Sequence, residues 1–287
     1  MLIKVKNYLS LVKFSHTIFA MPFAIIGYFL AYYKLPLNPD LSIFLKVILC
    51  MVFSRNAAMS FNRLVDKHFD KLNPRTKERE IPKGIITEKS ALIFIILNSI
   101  LFIATTYFIN NLVFYLSPIA LFVVLFYSYT KRFTMLSHLV LGLGLSLAPI
   151  GAYLSVTAKF ELLPLLYSFL VLFWVAGFDI IYALQDEDFD KKHKLHSIPA
   201  AVGRKWSLFI SFFLHFISGI LVIAIGLLTA FNYWYWVGAS LFIGLMLYQH
   251  HLVKPTDISK VNMAFATTNG LASIVFATFN IISILTV

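Results

Sequence analysis

The sequence predicts an all-α protein that crosses a lipid bilayer nine times, and three observations lead to this fold class. Of the 287 residues, 60% are hydrophobic and only 13% are charged, whereas soluble domains are about half apolar and about a quarter charged. The apolar residues form blocks of roughly 17–25 residues, the length that a helix needs to cross the hydrocarbon layer. Basic residues are concentrated in alternate segments between these blocks, which is typical of a multi-pass membrane protein.

The nine apolar blocks are predicted to be transmembrane helices. Their approximate ranges are 14–33, 44–61, 91–109, 112–128, 138–157, 162–184, 207–230, 234–251 and 263–286. Lysines precede the first block as in a signal peptide, but the block is long enough to span and no small-residue cleavage pattern follows it. Only Asn110 and Asn111 separate the third block from the fourth, which predicts a tight helical hairpin. Because the chain has no Ser/Gly-rich linker, residues 1–287 are predicted to form one integral-membrane domain.

The distribution of positive charge orients these helices. If the N-terminus is cytoplasmic, the cytoplasmic segments hold Lys4, Lys6, Lys13, the basic residues from Arg63 to Lys89, Lys131, Arg132, those from Lys191 to Lys205, Lys254 and Lys260. The opposite side holds only Lys34, Lys46 and Lys159. Cytoplasmic loops are enriched in Lys and Arg, so we expect a multi-pass protein of the inner (cytoplasmic) membrane with its N-terminus inside. Topology therefore accounts for the net charge of +11, which does not indicate nucleic-acid binding.

The first charged tract follows the second predicted span. Asn62, Asp66 and Asp70 recur every four residues, and side chains four apart are neighbours on a helix. Two carboxylates on one face suit a hard divalent cation such as Mg²⁺, which prefers oxygen ligands. Four basic residues that could meet an anion follow: Arg75, Lys77, Arg79 and Lys83. Taken alone, the tract is explained equally well as a solvated helix end with mixed charges.

A second acidic tract ends the sixth predicted span. Four of its residues fall at i, i+3, i+7 and i+11, and thus on one stripe of a helix: Asp179, Tyr182, Asp186 and Asp190. Glu187 and Asp188 are predicted to face away from this stripe, toward solvent. Basic residues follow here too, at Lys191, Lys192, Lys194, Arg204 and Lys205. Two acidic helix ends on one membrane side, each followed by bases, suggest Mg²⁺ ions that bind a diphosphate while a lipid tail lies between the helices.

Two charged residues fall within or at the edge of predicted spans, Arg55 and Asp179. A charge at mid-membrane costs about 2.5–3.5 kcal/mol on insertion scales, so such residues usually face a cavity or a partner. Arg55 precedes Asn62 by seven residues, which places it about 10 Å deeper along a helix. Arg55 is therefore interpreted either as a snorkelling or Asp-paired side chain or as a group that binds a carboxylate.

The two tracts, in this order and separation, resemble the aspartate motifs of the UbiA superfamily of intramembrane aromatic prenyltransferases. The resemblance covers essentially the whole chain and includes Arg75, Arg79 and Gly84 after the first motif. The opening segment KFSHTIFAMPFA, residues 13–24, is similar to the start of the 4-hydroxybenzoate polyprenyltransferase branch. The stretches SHTIFAMPFA and NPRTKEREIPKG also resemble a menaquinone branch in which the acceptor is 1,4-dihydroxy-6-naphthoate.

The resemblance implies a nine-helix fold with a cytoplasm-side cavity open sideways to lipid. It implies Mg²⁺-dependent transfer of a polyprenyl group from its diphosphate to a hydroxylated aromatic acid, most readily 4-hydroxybenzoate, in ubiquinone or menaquinone biosynthesis. The positions that would hold Mg²⁺ are Asp66, Asp70, Asp186 and Asp190, with Asn62 and Asp179 in support. Arg79 and Lys131 would contact the diphosphate, and Arg55 would hold the carboxylate of the acceptor. Both candidate acceptors carry a carboxylate, so Arg55 does not separate them.

A transporter for a cation or an anionic metabolite is the alternative from another class, because intramembrane Asp and Arg would serve it too. Transporters place their sites near the bilayer midplane on broken helices, often within internal repeats. Here the acidic residues gather at the predicted cytoplasmic helix ends, and the sequence shows no clear inverted repeat. These features favour the enzyme.

Overall fold

A computed structural model describes residues 2–13, 19–33 and 38–287, with side chains from Lys6 onward within these ranges. Apart from an isolated bridge between Lys254 and Asp257, the secondary structure there is helical. The α-helices are α1 (Leu2–Leu11), α2 (Met21–Tyr33), α3 (Leu41–Val65), α4 (Lys67–Leu72), α5 (Glu88–Tyr107), α6 (Asn111–Thr130), α7 (Ser137–Thr157), α8 (Leu162–Ala183), α9 (Glu187–Lys192), α10 (Ile198–Leu228), α11 (Tyr233–Leu252) and α12 (Asn269–Leu285). A 3₁₀ turn (Leu184–Asp186) joins α8 to α9, and a π-helical turn (Met263–Thr268) leads into α12.

Each predicted span coincides with a helix in the described part of the chain, although residues 14–18 of the first span lie outside it. Seven described helices are long and apolar enough to cross a membrane. The two others that match predicted spans are α2, which is shorter at 13 residues, and α11, which is not among the seven. The all-helical membrane fold is therefore confirmed, while nine crossings and a cytoplasmic N-terminus remain predictions.

The hairpin between α5 and α6 shows how polar side chains set the helix ends. The side chain of Asn110 accepts a hydrogen bond from the Val113 backbone N–H, which caps the first turn of α6. The Asn110 amide also donates to the carbonyls of Leu154 and Ser155 at the end of α7. A single asparagine thus begins one helix and satisfies carbonyls of another, where unpaired backbone groups would be costly.

The main core lies among α2, α7, α8, α10, α11 and α12, with Trp174 at its centre. A Cβ on Gly27 would lie 2.1 Å from the Pro149 carbonyl oxygen, so α2 and α7 approach as closely as only glycine allows. Buried hydrogen bonds from Tyr167 to Asn280 and from Trp174 to Asn269 hold α8 against α12. Small residues and polar pairs replace the hydrophobic effect as the basis of helix association in lipid.

The opposite wall, formed by α3, α5 and α6, buries few of its side chains. Along the 25 residues of α3, only Val47, Ala57, Ser60 and Arg63 are buried. Two of these four side chains are polar, and one of them is charged. An internal space lies between this wall and the main core, and both acidic tracts line it.

Candidate active site

A cavity of about 920 Å³ lies between α3, α6, α7 and α8. Its charged end is lined by both acidic tracts, and it continues past mostly apolar side chains such as Phe102, Leu116 and Phe160. This volume falls at the upper end of the roughly 300–1,000 Å³ typical of small-molecule sites. A space that is charged at one end and apolar along its length suits an amphiphile with an anionic head.

The first tract surrounds the charged end from α3 and α4. Helix α3 ends at Val65 and Asp66 caps it, before α4 begins at Lys67. Asn62 Nδ2 donates to Asp66 Oδ2 at 3.2 Å. Asp70 is buried within α4, where Arg79 Nη1 donates to its Oδ1 at 2.6 Å. Asn62, Asp66 and Asp70 all line the same cavity, as the four-residue spacing predicts, although they lie on two successive helices and the residue between them rather than on one helix.

The second tract meets residues of the first across the cavity. Asp186 accepts hydrogen bonds from Asn73 Nδ2 at 3.0 Å and from Arg75 through Nε at 2.9 Å and Nη2 at 2.5 Å. Asp190 accepts a bond from Ser197 Oγ at 2.8 Å, and Lys131 Nζ lies 2.8 Å from its other oxygen. Arg75 also donates to the Tyr182 hydroxyl at 2.9 Å. The loop after α4 therefore joins the two tracts into one site.

The four aspartates predicted to hold Mg²⁺ each lie beside a base. The ion pairs are Asp70 with Arg79, Asp186 with Arg75, Asp190 with Lys131 and, at 3.6 Å, Asp66 with Arg132. Burial and the neighbouring carboxylate of Asp70 raise the pKa of Asp66 to about 6, against the opposing influence of Arg132. A carboxyl group with such a pKa is ionised to a greater extent when a second cation lies nearby, because that cation favours the charged form.

The donor set fits Mg²⁺. Asp70 Oδ2 is buried and has no hydrogen-bond partner among the described residues, which leaves an oxygen ready for a cation. Within that part of the chain, no group of three His, Cys, Asp or Glu side chains gathers closely enough to hold a metal by itself. Mg²⁺ is commonly held by one or two carboxylates together with water and substrate phosphates, so an all-protein cage is not required.

Arg55 faces the same cavity from α3, at a deeper level than the acidic tracts. Its Nη2 donates a long bond of 3.4 Å to the Lys13 carbonyl oxygen, and its buried Nε has no hydrogen-bond partner among the described residues. The predicted ion pair with a buried Asp is not formed by Arg55 in this part of the chain. A guanidinium with donors to spare at this depth is suited to a carboxylate ligand.

Two expectations about the second tract are wrong. The tract is not one continuous helix, because α8 ends at Ala183 and a 3₁₀ turn precedes α9. Glu187 does not face solvent: it is buried, with Lys191 Nζ at 2.6 Å and Arg204 Nε at 2.8 Å. Asp188 is exposed, as predicted. A 3₁₀ turn has fewer residues per turn than an α-helix, so it changes the direction of the side chains that follow, including Glu187. The four residues of the predicted stripe, Asp179, Tyr182, Asp186 and Asp190, nevertheless all line the cavity.

Asp179 is separated from the other acidic residues. It lines the cavity, but His138 Nδ1 lies 2.7 Å from its Oδ2. The supporting role of Asp179 at the metal stays a prediction. Sequence reasoning missed His138, Asn73, Arg63 and Arg132 as cavity residues. A histidine at the start of an apolar span, and a second base beside Lys131, were the available signals for two of them.

Known proteins are similar to this chain in sequence. Residues 20–277 match the UbiA prenyltransferase family. A 4-hydroxybenzoate octaprenyltransferase of Francisella tularensis subsp. novicida (strain U112) is 26% identical over 238 residues, which cover 83% of this chain and 84% of that protein. A protein of the same name from Vibrio cholerae serotype O1 (strain ATCC 39541 / Classical Ogawa 395 / O395) is 29% identical over 235 residues, covering 80% of this chain and 81% of that protein.

Solved structures show the same fold. The apo structure of a UbiA homologue from Aeropyrum pernix K1 superposes with a TM-score of 0.84 at 30% identity, covering 93% of this chain and 97% of that one. A UbiA homologue from Archaeoglobus fulgidus bound to GPP and Mg²⁺ gives a TM-score of 0.76 at 22% identity, with 98% and 100% coverage. The chain therefore belongs to the UbiA prenyltransferase family and is an integral-membrane enzyme that transfers prenyl groups.

Proposed function

We propose that the protein transfers a polyprenyl group from its diphosphate to the ring of a hydroxylated aromatic acid, with 4-hydroxybenzoate as the acceptor. The observation that carries the proposal is the meeting of two acidic tracts and their bases at the charged end of one long apolar cavity. The names of the relatives support the choice of acceptor. The product would serve respiratory quinone biosynthesis, for either ubiquinone or menaquinone.

In this proposal Asp66, Asp70, Asp186 and Asp190 hold Mg²⁺, and Asn62 supports Asp66 through the hydrogen bond between their side chains. When bound, Mg²⁺ neutralises negative charge on the diphosphate and makes it a better leaving group. Support comes from the unpartnered Asp70 oxygen. The Archaeoglobus homologue bound to GPP and Mg²⁺ has the same fold.

Arg79 and Lys131 contact the diphosphate in this proposal. Each lines the cavity and lies beside a carboxylate of the proposed metal site, at 2.6 Å and 2.8 Å respectively. Arg55 holds the carboxylate of the aromatic acid, about 10 Å deeper along α3 than Asn62. The bond between the prenyl carbon and the diphosphate oxygen breaks, a bond forms to the ring carbon ortho to a hydroxyl, and loss of the ring proton restores aromaticity.

The second candidate acceptor is 1,4-dihydroxy-6-naphthoate. The segment from Asn73 to Gly84, which carries the resemblance to that branch, forms the loop that bridges the two tracts. Family membership sets aside the transporter alternative.

The placement in the membrane completes the proposal. We propose that residues 1–287 form one domain in the inner membrane, with the N-terminus and the charged end of the cavity on the cytoplasmic side. The distribution of Lys and Arg between alternate segments supports this orientation. The shared core of α2, α7, α8, α10, α11 and α12 supports a single domain.

The test is a prenyl-transfer assay on purified protein with Mg²⁺ and a long-chain prenyl diphosphate. 4-Hydroxybenzoate and 1,4-dihydroxy-6-naphthoate are offered in separate reactions, and a chelator is added in matched controls. We expect chelator-sensitive product from 4-hydroxybenzoate. Product from the naphthoate alone would move the protein to the second acceptor, and no product from either would refute both.

A further inference from the structure

We propose that the Arg63 guanidinium binds the diphosphate of the prenyl donor, an inference that rests on the proposed function. Arg63 lies on α3, one residue after Asn62 and three before Asp66. Its side chain lines the charged end of the cavity, yet the residue is only 4% exposed. Arg63 is neither one of the proposed metal ligands nor one of the bases that are paired with them.

Arg63 is a buried cation whose side chain has no hydrogen-bonded partner among the described residues. Its Nε is buried and has no hydrogen-bond partner, and its side chain forms no ion pair with any residue in the described part of the chain. A guanidinium carries five N–H donors and stays charged at any physiological pH. Burying such a group without a partner is strongly unfavourable, so the position calls for an anionic ligand in the cavity.

Four other bases at this end of the cavity are already paired. Arg75, Arg79, Lys131 and Arg132 each face one of the four carboxylates. Glu80 interacts electrostatically with Arg63, but its carboxylate accepts a hydrogen bond from Ser10 and forms no ion pair with Arg63. Among the described residues, Arg63 is therefore a positive charge that lies outside the four ion pairs, with the Glu80 carboxylate near it but not paired with it.

The position of Arg63 along α3 indicates which anion it binds. Arg55, the proposed partner of the acceptor carboxylate, lies eight residues earlier and thus about 12 Å deeper. Arg63 interacts electrostatically with Asp70 and Arg79, which belong to the proposed metal and diphosphate site. A guanidinium at this level, with several donors in one plane, suits the oxygens of a phosphate group.

Two substitutions at Arg63 test the proposal. The first measurement is the binding of inorganic diphosphate with Mg²⁺, in the absence of prenyl donor and acceptor, by isothermal titration. The second is the KM for prenyl diphosphate and for the aromatic acid. Arg63→Gln is expected to weaken diphosphate binding and raise the prenyl diphosphate KM by about tenfold or more, with the acid KM changed less than about twofold. Arg63→Lys is expected to retain part of the affinity.

Lys71→Gln is the matched control. Lys71 is exposed on α4 and does not line the cavity, so removing its charge is expected to leave diphosphate binding unchanged. A melting curve of each variant checks the fold, and Arg63→Lys carries the test if Arg63→Gln does not fold. Unchanged diphosphate affinity in both Arg63 variants, an equal loss in Lys71→Gln, or a rise in the acid KM alone would overturn the proposal.

The wild-type titration separates this inference from the proposed function. If the wild-type protein binds diphosphate with Mg²⁺ and Arg63→Gln binds it equally well, only the role of Arg63 is refuted. If the wild-type protein binds no diphosphate, the proposed function and the role of Arg63 fall together.

Discussion

Asp186 and Glu187 are adjacent carboxylates with similar burial and hydrogen bonding. We nevertheless expect their substitutions to change turnover by different amounts. They are 7% and 6% exposed, and each carboxylate accepts hydrogen bonds from two side chains. Asp186 lines the cavity, whereas Glu187 does not. Replacing each by its amide keeps the shape and removes one charge. Comparing the two variants therefore distinguishes a loss of catalysis from a loss of folding.

We expect Asp186→Asn to lower turnover by roughly 10²–10³-fold, or about 3–4 kcal/mol, because it removes a charge that acts on the leaving diphosphate. Glu187→Gln is expected to leave turnover within about twofold, since its partners Lys191 and Arg204 lie outside the cavity. The loss of folding stability is expected to be similar in both variants. Arg75 and Arg204 are 29% and 34% exposed and regain water, so about 1 kcal/mol of stability is lost, or about 2–4 °C in Tm.

The assay is single-turnover prenyl transfer at saturating substrates and Mg²⁺, with a melting curve for each variant. Equal turnover losses in Asp186→Asn and Glu187→Gln would show that the effect comes from local folding. Full activity in Asp186→Asn would refute the proposed metal site at the second tract.

Three further predictions concern the acceptor, the metal and the core. Arg55→Ala is expected to raise the KM for the aromatic acid at least about tenfold and that for prenyl diphosphate less than about twofold, and equal increases would exclude the carboxylate role. Because the pKa of Asp66 is raised to about 6, protons compete with Mg²⁺ below that pH. The apparent Mg²⁺ affinity should fall as the pH decreases from 7 to 5, and a flat profile would contradict a role for Asp66 as a ligand. Gly27→Ala places a Cβ 2.1 Å from the Pro149 carbonyl oxygen and should lower Tm by several degrees, whereas Gly219→Ala, with open space around it, should not.

The helices and the convergence of the two tracts were predictable because they depend on local patterns. Apolar block length located α3, α5, α6, α7, α8 and α10, and four-residue spacing placed Asn62, Asp66 and Asp70 on one cavity wall. Arg79 and Lys131 were carried over by resemblance, and both lie beside carboxylates of the site. Their contact with diphosphate remains a prediction.

The features that sequence reasoning missed depend on distant partners or on a change of helix type. His138 meets Asp179 from 41 residues away, and Arg132 donates to the Val65 carbonyl across 67 residues, so no local spacing reveals either contact. Glu187 was assigned to solvent because the periodicity assumed an unbroken α-helix through Leu184. Arg63 was counted only as a topogenic charge, since the absence of an ion pair at Arg63 is apparent only from the contacts of the described residues.

The hydrogen bonds from Asn73 and Arg75 to Asp186 also set an order of events during biosynthesis. Asn73 and Arg75 precede Asp186 by 113 and 111 residues in the chain. At about 5–20 residues per second, the ribosome adds Asp186 roughly 6–22 s after Arg75. The loop after α4 must wait through that interval while four long helices, α5 to α8, are synthesised. The site is therefore completed late in synthesis, and a nascent chain that stops before α8 ends holds the basic loop without the aspartate that anchors it.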